Sequence, residues 1–252
     1  MKNIFRDNAL QSKHDSKEIQ LLMKYMKNSP ESDFNKFDNF TKYVQKGSIS
    51  RFIARYEVYK MQLNIPGVII DIGVGRGASL FTWANLSSIF EPTNYTREIF
   101  GFDTFTGMEK IKKKYKSKKK SKTEFSIFKP KEDTYRDILN AIKVYDTNRP
   151  LSHIKKIFLY KGNAKKTFPK FLKENPHALV SLLHLDADVY EPTKVVLKKI
   201  IKRMPKGAVI LFGELSTRLY PGETRAMLEE LNIKKKSLKR FPFATTMSYI
   251  VI

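Results

Sequence analysis

Nearly unbroken apolar runs alternate along this chain with stretches whose apolar residues recur every three or four positions. The runs are Val68–Ile72, Ile99–Phe102, Ile157–Tyr160, Val180–Leu185 and Ala208–Phe212. Each has the length of a strand buried on both faces. Between them the spacing predicts helices over Tyr135–Tyr145, Phe168–Glu174 and Thr193–Lys202, and one that opens near Gly77 and turns Leu80, Trp83 and Ala84 inward. Strand alternating with helix predicts an α/β fold with a parallel sheet covered on both sides. The end of the chain breaks the alternation, because Arg240–Ala244 and Ser248–Ile252 read as a closing antiparallel hairpin.

The first fifty residues read differently. Asp15–Lys27 predicts an amphipathic helix with Ile19, Leu22, Met23 and Met26 on one face and Asp15 or Ser16 as its cap. Phe34, Phe37, Phe40 and Tyr43 then place an aromatic at every third position. Such a stripe either packs on the core or forms a lid or dimer surface over a site that must exclude water. A longer helix over Ser50–Met61 has Phe52, Ile53, Tyr56 and Tyr59 as its apolar side, and Ile65-Pro66-Gly67 turns the chain into the first strand. There is no internal repeat.

Three of the predicted strands end in acids. The first runs into Asp71-Ile72-Gly73-Val74-Gly75-Arg76-Gly77. Gly73, Gly75 and Gly77 permit a tight turn and let a nucleotide-like ligand approach bare backbone, while Asp71 either orients the turn or meets a charged amine on that ligand. The second strand ends at Asp103, placed to accept from ribose hydroxyls. The fourth leads into Leu185-Asp186-Ala187-Asp188-Val189-Tyr190-Glu191. Asp186 and Asp188 there suit a hard cation or a substrate hydroxyl. Beyond the fifth run, Glu214 is positioned to complete a metal site with Asp186, and Glu223 reads either as part of it or as a first-turn helix acid. His184 is the only histidine near these strand tips; it is a candidate base, alongside Asp188 and Glu191, or a hydrogen-bonded core residue. Thr193 reads as the cap of the helix that follows.

Composition narrows the classes. A length of 252 residues suits one α/β domain with a modest extension, and 41% hydrophobic residues suffice for its core. The absence of cysteine excludes disulfides, thiolate zinc sites and a cysteine nucleophile. No apolar stretch approaches the roughly 20 residues of a membrane span, and the first residues lack the apolar core of a signal peptide. The expectation is a soluble, cytoplasmic protein. The net charge of +23 attracts nucleic acid or phosphorylated substrates. Lysine dominates that charge, however, and bidentate phosphate recognition favours arginine. The block Lys110–Lys122 is nearly all lysine and reads as a mobile loop.

Four segments in order resemble the macrocin O-methyltransferase family, which methylates sugar hydroxyls with S-adenosylmethionine (SAM). They are Asp71–Ser79, Gly101–Gly107, Leu183–Thr193 and Tyr220–Thr224, within a likeness running from about Arg51 to Ile252. The resemblance implies a Rossmann-like class I methyltransferase. Its seven-stranded, mostly parallel sheet would form domain 51–252, with residues 1–50 as a helical extension or lid. It implies a SAM pocket built from Asp71, Gly73, Val74, Gly75, Arg76, Gly77, Ser79, Asp103, Phe105, Gly162, Asn163 and Asp186. The resemblance implies that Asp186 and Glu214 hold magnesium; the residues read as catalytic are Asp186, Asp188 and His184. The family expects two adjacent acids after the fifth strand, and this chain has Gly213-Glu214. The expected partner is a sugar or nucleotide-sugar acceptor, with nucleic acid second and a further copy of the chain a third candidate. An RNA methyltransferase, a metal-dependent glycosyltransferase and a non-catalytic homologue are the competing readings.

Overall fold

A computed structural model describes residues 13–107, 133–218 and 220–252; the lysine block lies outside them. Three helices come first: α1 (Lys13–Asn28), α2 (Asp33–Asp38) and α3 (Lys46–Gln62). The core then alternates β1 (Val68–Ile72), α4 (Ala78–Phe90), β2 (Ile99–Asp103), α5 (Thr134–Thr147), β3 (Ile157–Lys161), α6 (Ala164–Glu174), β4 (Val180–Leu185), α7 (Tyr190–Ile200), β5 (Val209–Phe212) and α8 (Pro221–Glu230). It closes with β6 (Leu238–Phe241) and β7 (Ala244–Val251).

The strands form one seven-stranded sheet in the order β3-β2-β1-β4-β5-β7-β6. β1 to β5 pair in parallel, while β7 is antiparallel to both β5 and β6. The crossover order puts β1 and β4 side by side at the centre, where the chain reverses its direction of travel across the sheet. In open α/β sheets a ligand crevice forms outside the carboxyl ends at that point.

Side-chain alternation divides the core. Ile69, Ile99, Leu182, Val209 and Leu211 pack with Ala54 and Val58 of α3 and Leu80 and Trp83 of α4. Ile70, Phe100, Leu183, Ile210 and Phe212 face the other way, onto Phe168 and Phe171 of α6 and Val196 and Leu197 of α7. Burial on both faces explains why the strands read as continuous apolar runs.

Some boundaries differ from the sequence expectation. The hairpin turns at Pro242-Phe243, with Phe241 opposite Ala244, rather than between 244 and 248. Proline's fixed φ and missing N–H suit the first turn position and not a paired strand. α7 begins three residues before Thr193, whose hydroxyl donates back to the Val189 carbonyl at 2.8 Å from inside the helix. α3 starts at Lys46, so a boundary at residue 50 falls within it. In the N-terminal segment Tyr43 is buried and stacks on Tyr25 at 5.5 Å. Phe34 and Phe37 are 78% and 76% exposed and Phe40 is 53% exposed, so they do not pack on the core. Among the described residues, no helix is long and apolar enough to cross a membrane.

Candidate active site

The carboxyl ends of β1, β2 and β4 border a cavity of about 510 Å³, within the size range of small-molecule sites. One wall is the turn after β1. Gly73, Gly75 and Gly77 all have left-handed φ, at 95°, 55° and 93°, which glycine adopts without steric cost. Gly73 also presses on the loop after β4, where a Cβ would come within 2.3 Å of the Asp186 carbonyl oxygen. Gly73, Val74, Gly75, Arg76 and Ser79 line the cavity.

Asp103, at the end of β2, holds this turn. Its carboxylate accepts from the Gly75 N–H at 2.8 Å and from the Phe105 N–H at 2.7 Å, one bond to each oxygen. Burial raises its pKa above the ordinary aspartate value, against the pull of those two donors. Each carboxylate oxygen has further acceptor capacity, and Asp103 lines the cavity with Phe105 and Thr104. Gly162 and Asn163, past β3, complete that side. The Asn163 side chain also caps α6 by accepting from Lys165 N–H at 2.8 Å.

These residues fit the nucleoside end of SAM. The Asp103 carboxylate faces the cavity with acceptor capacity to spare, as the hydroxyls of a nucleoside would require. The Gly75 N–H is already engaged by Asp103, so the turn suits a cofactor that brings no phosphate to it.

Four of the residues named for the site, Asp71, His184, Gly77 and Glu214, do not line the cavity. Asp71 and His184 are register partners in adjacent strands and both are fully buried. His184 Nδ1 lies 2.6 Å from Asp71 Oδ1, Ser79 Oγ donates to Asp71 Oδ2 at 2.7 Å, and Trp83 meets the imidazole edge-on at 5.5 Å. Neither reaches the cavity. His184, read as a candidate base, lies in the core, and Asp71 holds Ser79 in the first turn of α4 from behind the cavity wall. Gly77 likewise stands behind the wall, as the residue that caps α4.

Asp186 and Asp188 both border the cavity. Asp188 adopts φ of 60°, and its N–H donates to Glu223 Oε1 at 3.4 Å. Glu223 Oε2 accepts from the Glu214 N–H at 3.2 Å, so this fully buried side chain ties two loops together from the first turn of α8. Burial, then the nearby Asp188 and Asp186 charges, push the Glu223 pKa well above the usual carboxylate range. Glu223 is a buried clasp between the two loops.

The expected magnesium ligands do not fit a divalent cation. Glu214 is held by Arg51, whose Nη2 donates to Oε1 at 2.8 Å, and Arg55 Nη2 lies 3.9 Å from Asp186 Oδ2. Burial works against the Arg51 charge, but Asp186 and Glu214 outweigh it and raise its pKa. Among the described residues, no three His, Asp or Glu side chains converge as a cation site would need. Arg51 and Arg55, which the sequence reading missed, stand one turn apart on α3. That spacing was the available signal, since arginines at i and i+4 share a helix face.

A family model for macrocin O-methyltransferase (TylF) matches residues 54–232. Among solved structures, the chain is similar to the calicheamicin methyltransferase CalS11, with 28% identity over 96% of this chain and 93% of that one and a TM-score of 0.89. A ligand-free structure of CalS11, titled a TDP-rhamnose 3'-O-methyltransferase of calicheamicin biosynthesis, matches at 28% identity over 96% and 95% of the two chains, with a TM-score of 0.82. The O-methyltransferase NovP shares the fold, with 16% identity over 81% and 79% and a TM-score of 0.59. The comparison with curated proteins returned no match. A class I sheet, a glycine turn clasped by the acid of β2 and a family match over most of the core lead to one conclusion: this chain belongs to the macrocin O-methyltransferase (TylF) family and is a SAM-dependent O-methyltransferase.

Proposed function

We propose that the enzyme methylates a hydroxyl of a sugar carried on a nucleotide or on a glycosylated small molecule. The observation that carries this is the likeness to CalS11 over 96% of this chain. It extends beyond the residues 54–232 matched by the family. In this reading Asp103 accepts from the two ribose hydroxyls of SAM, and the turn from Gly73 to Gly75 lies against the rest of the nucleoside. When bound, SAM supplies a methyl group already electrophilic on its sulfonium. The remaining task is to align an acceptor oxygen and remove its proton.

Asp188 is the residue we assign to that proton. It borders the cavity, its backbone is fixed in the left-handed region, and Glu223 locks its N–H. Asp186, engaged by Arg55, orients the acceptor beside it. The positive field of the chain attracts an acceptor bearing phosphates.

The test is transfer of a radiolabelled methyl group from SAM to thymidine-diphosphate sugars, with S-adenosylhomocysteine (SAH) calorimetry beside it. Methylated nucleotide sugar, lost in Asp188→Asn with SAH binding retained, is the expected result. SAH binding with transfer only to RNA would overturn the sugar assignment and leave the cofactor assignment standing.

A further inference from the structure

Resting on the methyltransferase reading above, we propose that Arg51 and Arg55 stand in for a divalent cation at the carboxyl edge, so that this chain positions its acceptor hydroxyl with guanidinium groups and no metal. Three observations converge on it. First, α3 delivers two arginines, one turn apart, to two carboxylates on separate loops: Arg51 to Glu214 at 2.8 Å and Arg55 to Asp186 at 3.9 Å. Ala54 and Val58 of the same helix are fully buried against the sheet, which fixes where the arginines reach.

Second, the Asp186 carboxylate lies where a side chain at position 213 would begin. A Cβ on Gly213 would lie 2.2 Å from Asp186 Oδ1 and 2.7 Å from its Cγ. Glycine at 213 is therefore more than a missing ligand. It leaves room for the Asp186 carboxylate to lie over β5's end, within ion-pair range of Arg55. Third, Arg55 borders the cavity together with Asp186 and Asp188. A guanidinium carries five donors in a fixed plane, so one group spans a carboxylate and an acceptor oxygen at once. A metal ion would do the same by coordination. Here the positive charge comes with the fold.

The experiment is a Mn2+ titration of the SAH-bound protein followed by electron paramagnetic resonance. Wild type takes up no saturable Mn2+ below millimolar concentration. The double variant Arg51→Gln/Arg55→Gln, with its acids uncovered, gains Mn2+ affinity at least tenfold over wild type, and the charge-keeping Arg51→Lys/Arg55→Lys does not. Circular dichroism confirms that each variant is folded. Tight one-site Mn2+ binding in wild type that Asp186→Asn abolishes overturns the proposal, as does a folded glutamine variant with no gain. Failure of SAH to bind in calorimetry defeats the cofactor reading instead, and so separates the two.

Discussion

Two carboxylates near the ends of the central strands have opposite fates. Asp71 on β1 and Asp186 just past β4 both look like strand-tip acids in the sequence, and each has a nitrogen-bearing partner. Asp71 sits one residue before its strand ends, directly opposite His184, and the pair is sealed under α4 against Trp83. Asp186 sits one residue after its strand ends, and its partner Arg55 is a cavity residue. A shift of one or two positions along a strand moves an acid from the core to the ligand side. The first pair supports the wall and the second faces the ligand.

The strongest way to break this comparison is His184→Ala. It leaves the fully buried Asp71 carboxylate with Ser79 as its remaining partner and opens a void beside Trp83. Removing a buried hydrogen-bond partner costs about 1–3 kcal/mol, and the void adds to it, which together are a large share of a domain's stability. Urea unfolding should show that loss, while the folded fraction keeps its SAH affinity. A variant as stable as wild type, or one that folds but no longer binds SAH, would place His184 at the site after all.

Asp103→Ala should do the reverse. Asp103 faces the cavity and also clasps Gly75 and Phe105, so its removal would lose the turn's shape and the proposed ribose contacts together. We expect SAH affinity to fall about a hundredfold, equivalent to about 3 kcal/mol. The stability loss should be smaller than for His184→Ala. Calorimetry and urea unfolding on the same two variants give a crossed pattern if wall support and ligand contact are separate roles.

The sequence makes the parts legible that are local. Apolar runs mark β1 to β5, and the glycine turn followed by the Asp103 segment marks the cofactor side. The depth of Asp71 is not local: it depends on the parallel register between β1 and β4, which no short pattern encodes. The arginines were hidden for a similar reason. Arg51 finds its partner Glu214 only 163 positions further along the chain. Gly213 looked like a deficiency because the eye compares ligands; the structure shows that the missing side chain makes room for Asp186. The hairpin turn lies at Pro242-Phe243, inside the stretch read as its first strand, because proline cannot donate to the ladder.

Glu223 sharpens the comparison from a third position. It is buried like Asp71 yet serves the loops that carry Asp188 and Glu214. Glu223→Ala leaves two backbone N–H groups without acceptors, at about 1–3 kcal/mol each if water does not reach them. Glu223→Gln keeps one acceptor oxygen and sets its amide NH2 against the other N–H, so it should cost less than Glu223→Ala but more than nothing. Thermal unfolding of the pair checks this, and equal losses in both would mean that both acceptor oxygens are needed there.

The smallest effect we expect is a pH dependence centred on Asp103. Burial raises its pKa, so the protonated form is favoured in the folded, ligand-free protein more than in the unfolded chain. The stability this contributes is present in acid and is lost as pH rises through the raised value. Cofactor affinity runs the other way. The ionised carboxylate accepts ribose hydroxyls on both oxygens, so SAH binding strengthens across the same window, which opens above an ordinary aspartate's pKa of about 3.9. Melting curves and calorimetry from mildly acidic to neutral pH should show ligand-free stability falling while SAH affinity climbs. Asp103→Asn removes one titrating group and should flatten the affinity trend, at a weaker affinity, together with part of the stability trend. Glu223→Gln should flatten only part of the stability trend, because Glu223 titrates behind the wall and makes no contact with the cavity. If the affinity climb survives in Asp103→Asn, another acid governs cofactor binding, and Asp103 belongs with Asp71 as a support of the turn.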